Sequence, residues 1–445
     1  MTDHAPLATA AGARGRPDEV ADALLGTTVG ALEALVTHHL PGWRLPGSFG
    51  GHRVGADVRA DLVFTLGLVR RAGVASVAGS DVDDVIADLL GGVDGAATDT
   101  FSSYRVGETL LARGPFEDNP VVAGLDPTQR HELAQAVDST SFLPLLDGLL
   151  PRNYAAVLAR CELARQALGL PTDAAVLADL IDRTRSLLAA NPGGYLDDSE
   201  DGAGARYDIY SVDVYLFCEP LAPLLGPVWE HGLANAVDLV EQTQAANGAA
   251  LVWGRSTGVL ALCHAVELAA LALERGIGDD PARWLARARL ATVGLDGWFG
   301  HDGVIAAHQH RSPYGYRGPS RRLQMTLDCL GKLAWAADRL RRRPDDGRGP
   351  PHPPRCSAPG TGWWSSTAAI PAPPGSGPCA PRARPCRCRS RARRAPTTCR
   401  RRRPPGCGRC RSTGPWPASC PWPGPVTPPS PAADGPTGSS TSPAG

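Results

Sequence analysis

One carboxylate stands out within an acid-rich stretch of the sequence, GYLDDSEDGAGARYDIYSVDVYLF, which covers residues 194–217. Asp208 lies between Tyr207 and Tyr210, at the start of a predicted helix. Aromatic rings stack on sugars and exclude water from a carboxyl group, so this arrangement suits general acid or base catalysis on a carbohydrate. A carboxylate at a helix start also serves as an N-cap. We predict Asp208 and Tyr207 as catalytic residues and Tyr210 as a substrate-binding residue.

The acids upstream of Asp208 partly match the spacing of an EF-hand calcium loop, with Asp197, Ser199 and Asp201 at the first, third and fifth positions. Gly204 and Ala205 depart from that loop at its eighth and ninth positions. We therefore predict a solvated acidic turn here rather than a metal site.

A second segment, WGRS at residues 253–256, precedes a helical pattern. The guanidinium of Arg255 is a planar fork that matches a carboxylate, and Trp253 offers a face for stacking. An arginine in this place also serves to tie two loops together through an acid. We predict Arg255 and Trp253 as substrate-binding residues.

A third segment, residues 301–322, contains several histidines and tyrosines in one predicted loop. Tyr and His side chains suit the proton abstraction of a polysaccharide lyase, so we predict Tyr314 and His308 as catalytic and Arg317 as substrate-binding. His308 and His310 would share one face of a strand, as a metal pair does, but the sequence shows no third ligand. We predict neither a metal nor any other cofactor.

Hydrolysis of a glycosidic bond needs a second carboxylate about 5 to 10 Å from the first. The sequence offers five candidates near the segments described above and does not choose among them: Asp197, Asp198, Glu200, Asp213 and Asp302.

Helices must position these segments, because apolar residues recur at spacings of three and four through most of the first 343 residues. The pattern predicts eleven helices at 19–40, 56–72, 81–90, 129–137, 154–168, 173–190, 209–225, 229–246, 257–275, 281–292 and 321–341, with shorter ones near 104–113 and 141–149. Strand-like text is confined to residues 250–253 and 298–310. About twelve helices without a sequence repeat predict an all-α fold, an (α/α)6 toroid of helical hairpins. The loops at 191–208 and 298–320 would line one end of it.

Composition divides the 445 residues into unlike parts. Residues 344–445 hold 25 of the 42 prolines and eight of the 12 cysteines but no leucine, and such a chain buries too little apolar surface to fold. We predict a disordered N-terminus at 1–17, a toroid domain at 18–343 and a disordered tail at 344–445. The residue types of the tail are typical of a shifted reading frame in a GC-rich gene; the alternatives are a genuine disordered tail and an arginine-rich arm that binds nucleic acid.

Bulk properties exclude several classes of partner. The formal net charge is zero, and the N-terminus lacks the pattern of a signal peptide, so the sequence gives no argument for nucleic acid or membrane binding. Cys161, Cys218, Cys263 and Cys329 lie within apolar helical patterns, which predicts buried thiols and a cytoplasmic location.

Three segments together resemble the bacterial family known as domain of unknown function 2264. They are RNYAAVLARCELARQALGL (152–170), GARYDIYSVDVYLFCEPLA (204–222) and LVWGRSTGVLALCHAVELAALAL (251–273). The resemblance covers residues 150–275. It implies an (α/α)6 toroid related to glycoside hydrolases and heparinase-like lyases, in which Asp208 matches the family aspartate, residues 254–256 match a Gly-Arg-Ser motif, and Asn153 matches a family asparagine, here predicted to bind substrate. Trp253 stands where the family has tyrosine.

These observations lead to one functional hypothesis and two alternatives. We expect a glycoside hydrolase that acts on a uronic-acid-containing glycan, like a β-glucuronidase, with a carbohydrate or other small molecule as its partner. The alternatives are a heparinase-like polysaccharide lyase and a non-catalytic helical binding protein or decayed gene product.

Overall fold

A computed structural model describes residues 16–93, 95, 100–148, 150, 152–194, 196, 209–250, 258–278, 280–306 and 321–342; at 209–211 it describes the backbone only. The chain divides into two compact units, and every described residue belongs to the first of them. The second unit, Ser357–Ser419, lies outside the described residues, as do the predicted disordered segments except for residues 16 and 17.

Fourteen helices account for most of the described residues, which confirms the all-α prediction. They are α1 (Pro17–His38), α2 (Asp57–Arg71), α3 (Val82–Gly91), α4 (Thr100–Leu111), α5 (Pro120–Ala123), α6 (Pro127–Ala136), α7 (Tyr154–Leu168), α8 (Ala174–Ala189), α9 (Ile209–Phe217), α10 (Ala222–Leu225), α11 (Pro227–Thr243), α12 (Val259–Arg275), α13 (Pro281–Gly294) and α14 (Arg322–Arg341). Short 3-10 helices occupy Pro41–Trp43, Thr140–Leu146 and Glu219–Leu221.

Six of these helices form a closed inner ring in the order α2, α4, α7, α9, α12 and α14, with α14 packed back against α2. Helices α7 and α9 meet through Arg160, whose Nη1 donates to the Phe217 carbonyl at 3.0 Å. Neighbouring inner helices run in the same direction. The Thr65 hydroxyl of α2 donates to the Leu327 carbonyl of α14 at 2.9 Å, and further along both helices Arg71 pairs with Asp338, also at 2.9 Å. The same holds for α12 and α14, where Glu267 pairs with Lys332 and, further along both helices, Glu274 pairs with Arg339. Because an outer helix returns the chain between successive inner helices, each inner helix begins at the same end of the ring.

Six outer helices alternate with the inner ones along the chain and surround the ring. α1 packs against α14 and α13, α8 against α7, α11 against α12 and α9, and α13 against α12, while α3 and α6 cover α2 and α4. This is the predicted (α/α)6 toroid. Inner helices pack against outer helices and against their neighbours in the ring, and 14 of the 17 residues of α12 are accordingly buried.

Short polar caps fix where several helices begin. The Asp81 carboxylate accepts hydrogen bonds from two backbone amides at the start of α3, and Asp173 and Asp280 cap α8 and α13 in the same way. These are the aspartates that the sequence places directly before apolar periodic runs.

The structure corrects one local prediction and adds two small hairpins. The single helix expected at 209–225 ends at Phe217, because Pro220 and Pro223 cannot donate the backbone hydrogen bonds that would continue it. Two small hairpins had not been predicted, β1 (Ser48–Phe49) with β2 (His52–Arg53) and β3 (Ser76–Val77) with β4 (Ser80–Asp81). The hairpin expected near residue 302 is present as a bridge between Phe299 and Ile305.

Helix α1 is long and apolar enough, by length and composition alone, to cross a membrane. Its residues Leu24, Leu32 and Leu35 are fully buried within the core of the toroid. A core helix of a globular domain meets the same criteria, so α1 carries no argument for membrane insertion.

Candidate functional site

Most of the predicted site residues lie outside the described residues: Tyr207, Asp208, Trp253, Arg255, His308, Tyr314 and Arg317. Tyr210 lies in the first turn of α9, where only the backbone is described. Asn153 directly precedes α7, and its Oδ1 is buried without a hydrogen-bond partner among the described residues.

Chain connectivity nevertheless relates these segments to one another. Asp208 directly precedes α9, WGRS shortly precedes α12, and the segment around Tyr314 precedes α14. These three helices are consecutive in the inner ring and begin at its same end. At that end, a cleft of about 370 Å³ opens between the starts of α2 and α4, with Arg53 and Arg59 in its wall.

The interior of the ring contains a layer of charged side chains, of which the sequence analysis singles out only Asp213. Every inner helix contributes at least one of them, within about three turns of the helix start. They are Asp61 on α2, Arg105 and Glu108 on α4, Arg160 on α7, Asp213 on α9, His264 and Glu267 on α12, and Asp328 and Lys332 on α14.

Four of these residues form a compact cluster that joins α9, α12 and α14. Nδ1 of His264 lies 3.2 Å from Oδ1 of Asp213 and 3.0 Å from Oε2 of Glu267. Nζ of Lys332 lies 3.7 Å and 3.5 Å from the same two oxygens. The two nitrogens thus alternate with the two carboxylate oxygens. We call these four residues the lysine cluster.

The charge of Lys332 is stabilised by its surroundings. Burial by itself lowers the pKa of a lysine, but the carboxylates of Asp213, Glu267 and Asp328 outweigh it and raise the pKa of Lys332 well above its ordinary value. Lys332 is therefore an ammonium ion at neutral pH and cannot act as a nucleophilic amine there.

Asp213, His264 and Glu267 have ligand atoms near enough to one another to surround a metal ion. The Lys332 ammonium already supplies the positive charge between the two carboxylates, however, and a second cation there would be repelled. Nδ1 of His264 lies within ion-pair distance of both carboxylates. The four groups are therefore explained as an ion-pair cluster.

A second carboxyl group of the layer has a very different environment. Burial raises the pKa of Asp61 from 3.8 to about 7, although its ion pair with Arg105 acts in the opposite direction. Arg105 also reaches Asp328, with Nη2 3.5 Å from Oδ1. The layer thus holds one deeply buried carboxyl group, Asp61, and two carboxylates, Asp213 and Glu267, that lie beside an ammonium ion.

Aromatic rings lie beside the charged layer. Tyr104 makes edge-to-face contacts with Phe64 and Phe217, at centroid distances of 5.7 and 5.2 Å. The Arg160 guanidinium stacks over Tyr104 and Phe217 and donates to Glu108 at 2.6 Å. The phenylalanines are only half-buried, although they belong to inner helices. An interior lined by charged groups and accessible aromatic faces suits a polar ligand with apolar faces, such as a sugar.

The structure distinguishes two of the candidate second carboxylates. Asp302 accepts a hydrogen bond from Nε2 of His39 at 2.9 Å, which ties the loop before α14 to the end of α1. Asp213 instead faces the ring interior. The other three candidates, Asp197, Asp198 and Glu200, lie outside the described residues.

Helix α9 presents different side chains to the outer layer and to the ring interior. Tyr215 is fully buried against α11, where its ring fills the space beside Gly232. The interior face of α9 carries Asp213, which lies about 200° around the helix from Tyr215.

The sequence contained two signals for the lysine cluster. His264 and Glu267 are polar residues three positions apart within an otherwise apolar run, LALCHAVELAALAL. Lys332 is the only lysine among the 45 basic residues of the chain. The four predicted core thiols, by contrast, are confirmed as free and buried.

No protein-family model matches the chain, and no curated protein matches it in sequence. The resemblance to domain of unknown function 2264 therefore stays a prediction.

Proposed function

We propose that the protein is a cytoplasmic glycoside hydrolase that acts on a uronic-acid-containing glycan in the interior of the toroid, without a cofactor. The observation that supports this proposal best is the position of Asp213. It faces the ring interior on α9, directly after the segment that contains Asp208, and its side chain keeps 19% of its surface exposed.

Hydrolysis then uses two carboxyl groups from one stretch of chain. Asp208 gives its proton to the leaving oxygen, and Asp213 accepts the proton of the attacking water. Arg255 binds the carboxylate of the uronic acid, and Trp253, Tyr207 and Tyr210 stack against the sugar rings. These assignments rest on the resemblance and on residue chemistry, except for Asp213, which rests on its place in the ring.

The charged layer supports chemistry over a purely structural role. A helical scaffold gains little from burying charges, because their desolvation offsets most of their mutual attraction. Here every inner helix brings charge into the same level of the ring, next to accessible aromatic rings. This arrangement is more easily explained by a ligand than by stability.

The test is hydrolysis of uronic-acid oligosaccharides and of an aryl β-glucuronide by the purified protein. We expect release of the free uronic acid, and a loss of kcat of about 100-fold or more in Asp213→Asn and in Asp208→Asn. The matched control is Asp302→Asn, which alters a carboxylate at the same end of the toroid and should leave kcat within a few-fold of the wild type.

Two results would contradict the proposal. A product that absorbs in the near ultraviolet is an unsaturated uronate and indicates elimination, the chemistry that His308 and Tyr314 suit. A folded protein that acts on none of these substrates, by hydrolysis or by elimination, favours the alternative of a non-catalytic binding protein. Full activity in Asp213→Asn would remove the assignment of the second carboxylate alone.

A further inference from the structure

The chain uses a single lysine, and it places that lysine in the interior of the ring. All other basic residues are arginines, including every other cation of the charged layer. Arginine thus serves for ion pairs throughout this protein, and a lysine at Lys332 requires a specific explanation.

A structural ion pair further along the same helix makes the contrast clear. Arg339 of α14 also bridges two carboxylates, with Nη2 2.9 Å from Oε2 of Glu219 and Nη1 2.5 Å from Oε2 of Glu274. Its side chain is only 4% exposed. Lys332 bridges Asp213 and Glu267 in the same manner but keeps 17% of its side-chain surface exposed.

We propose that Lys332 is a positioning residue for Asp213 in the proposed hydrolysis: its ammonium balances the charge of the Asp213 carboxylate and holds it toward the ring interior. The inference rests on the proposed function. Glu267 and His264 contact Lys332 and Asp213, respectively, from the side away from the ring interior and help to hold them in place.

The four side chains of the lysine cluster differ in how much of their surface is exposed. His264 is fully buried and Glu267 keeps 7% of its side-chain surface exposed, whereas Asp213 keeps 19% and Lys332 17%. Asp213 and Lys332 therefore face the accessible interior, and the other two residues stand behind them. A group that contacts substrate must be accessible, while a group that orients it need not be.

The contacts of Asp213 suit this role. His264 and Lys332 both approach the same oxygen, Oδ1. Neither contact uses Oδ2, which is the oxygen that would accept a proton from water. A guanidinium tends to bind both oxygens of a carboxylate at once, whereas an ammonium is a compact point charge. This difference gives a physical reason for a lysine at this position.

The resulting step is balanced. The oxygen of water forms a bond to the anomeric carbon and releases a proton to Asp213. The glycosidic bond breaks, and its electron pair stays on the leaving oxygen, which takes a proton from Asp208. Lys332 remains charged throughout and forms no covalent bond.

The groups that face Lys332 come from four inner helices, so its environment is set by the ring as a whole. They are Asp213 from α9, His264 and Glu267 from α12, Tyr104 from α4, and Asp328 from its own helix α14.

The first experiment compares Lys332→Met with the matched control Arg339→Met, which removes a buried cation from the same helix. We expect Lys332→Met to lower kcat about 100-fold with KM changed less than about threefold, and to move the acid limb of the pH–rate profile to higher pH. In Lys332→Ala, methylammonium in the buffer should restore part of kcat. Arg339→Met should lower the stability of the protein but keep the pH–rate profile of the wild type.

The second experiment needs no substrate. With lysine labelled at its ε-carbon, the protein should give one lysine signal by NMR, because the chain has only one lysine. We expect that signal to keep the chemical shift of an ammonium above the pH at which an ordinary lysine titrates. In Asp213→Asn its transition should move to lower pH, whereas Asp302→Asn should leave it unchanged.

The outcomes separate this inference from the proposed function. An active enzyme in which Lys332→Met keeps both kcat and the pH–rate profile overturns the role of Lys332 and leaves the hydrolase proposal standing. A lysine signal that does not respond to Asp213→Asn overturns it equally. A folded wild type without activity on any uronide overturns the proposed function, and the catalytic role of Lys332 with it.

Discussion

Asp61 provides a quantitative test of the charged layer, because its burial links the stability of the fold to pH. Its pKa rises from 3.8 to about 7 in the folded protein, and a shift of that size corresponds to ~4 kcal/mol. Well below pH 3.8 the carboxyl group is protonated in both the folded and the unfolded protein. Between pH 4 and pH 7 the folded protein keeps the proton that the unfolded chain releases. The free energy of unfolding therefore falls as pH rises through this window.

The substitution Asp61→Asn removes this pH dependence while keeping the shape of the side chain. We expect the free energy of unfolding of the variant, relative to that of the wild type, to increase by about 3 kcal/mol from pH 5 to pH 8. This is the greater part of the ~4 kcal/mol that corresponds to the whole pKa shift. Urea unfolding at a series of pH values, followed by circular dichroism, measures this difference. Loss of the partner of Arg105 lowers the stability of the variant by an amount that varies less with pH, so the change with pH is the quantity to compare.

A control of opposite sign is available in Asp83. Burial acts to raise the pKa of Asp83, but hydrogen bonds from Arg70 and Arg113 prevail and lower it. Its contribution to stability is present at neutral pH and is lost as pH falls through the acidic range, so Asp83→Asn should lose stability relative to the wild type as pH rises. If the free energies of unfolding of the wild type and Asp61→Asn change in parallel from pH 5 to pH 8, then Asp61 is not held in its protonated form in the folded protein.

Two further predictions concern the helical frame. Gly303 has a φ of 79°, and a Cβ there would lie 2.1 Å from the Ala31 carbonyl oxygen, so Gly303→Ala should lower the free energy of unfolding by about 2 to 4 kcal/mol. The control is Gly297→Ala, at a φ of 73° with open space around it, which should lower the free energy of unfolding by only about 1 kcal/mol. Equal losses in the two variants would argue against the close approach of Gly303 to Ala31. Burial raises the pKa values of Cys161 and Cys218 to about 12, so neither thiol should react with iodoacetamide at pH 8 in the folded protein. After unfolding in urea, mass spectrometry should find both thiols modified. Rapid labelling of either thiol in the folded protein would contradict their place in the core.

Helical periodicity and capping determined much of the frame from the sequence alone. The predicted segments at 154–168 and 281–292 match α7 and the greater part of α13, because apolar periodicity and, for α13, the capping Asp280 followed by Pro281 are local signals. The prediction of one helix at 209–225 is wrong for an equally local reason, because the two prolines in this segment end the helix despite its apolar pattern. The burial of the four core thiols followed from the same patterns.

Only the tertiary structure decided which side of each inner helix faces the centre of the ring. Periodicity identifies the residues that share a face, but a helix such as α12 is buried on all sides, so its pattern does not distinguish the interior from the outer layer. Asp213 and Lys332 are far apart in the sequence, and they meet because the ring closes through α9, α12 and α14. The sequence by itself marked the lysine as unique; the closure of the ring gave it two carboxylates and a place beside the interior.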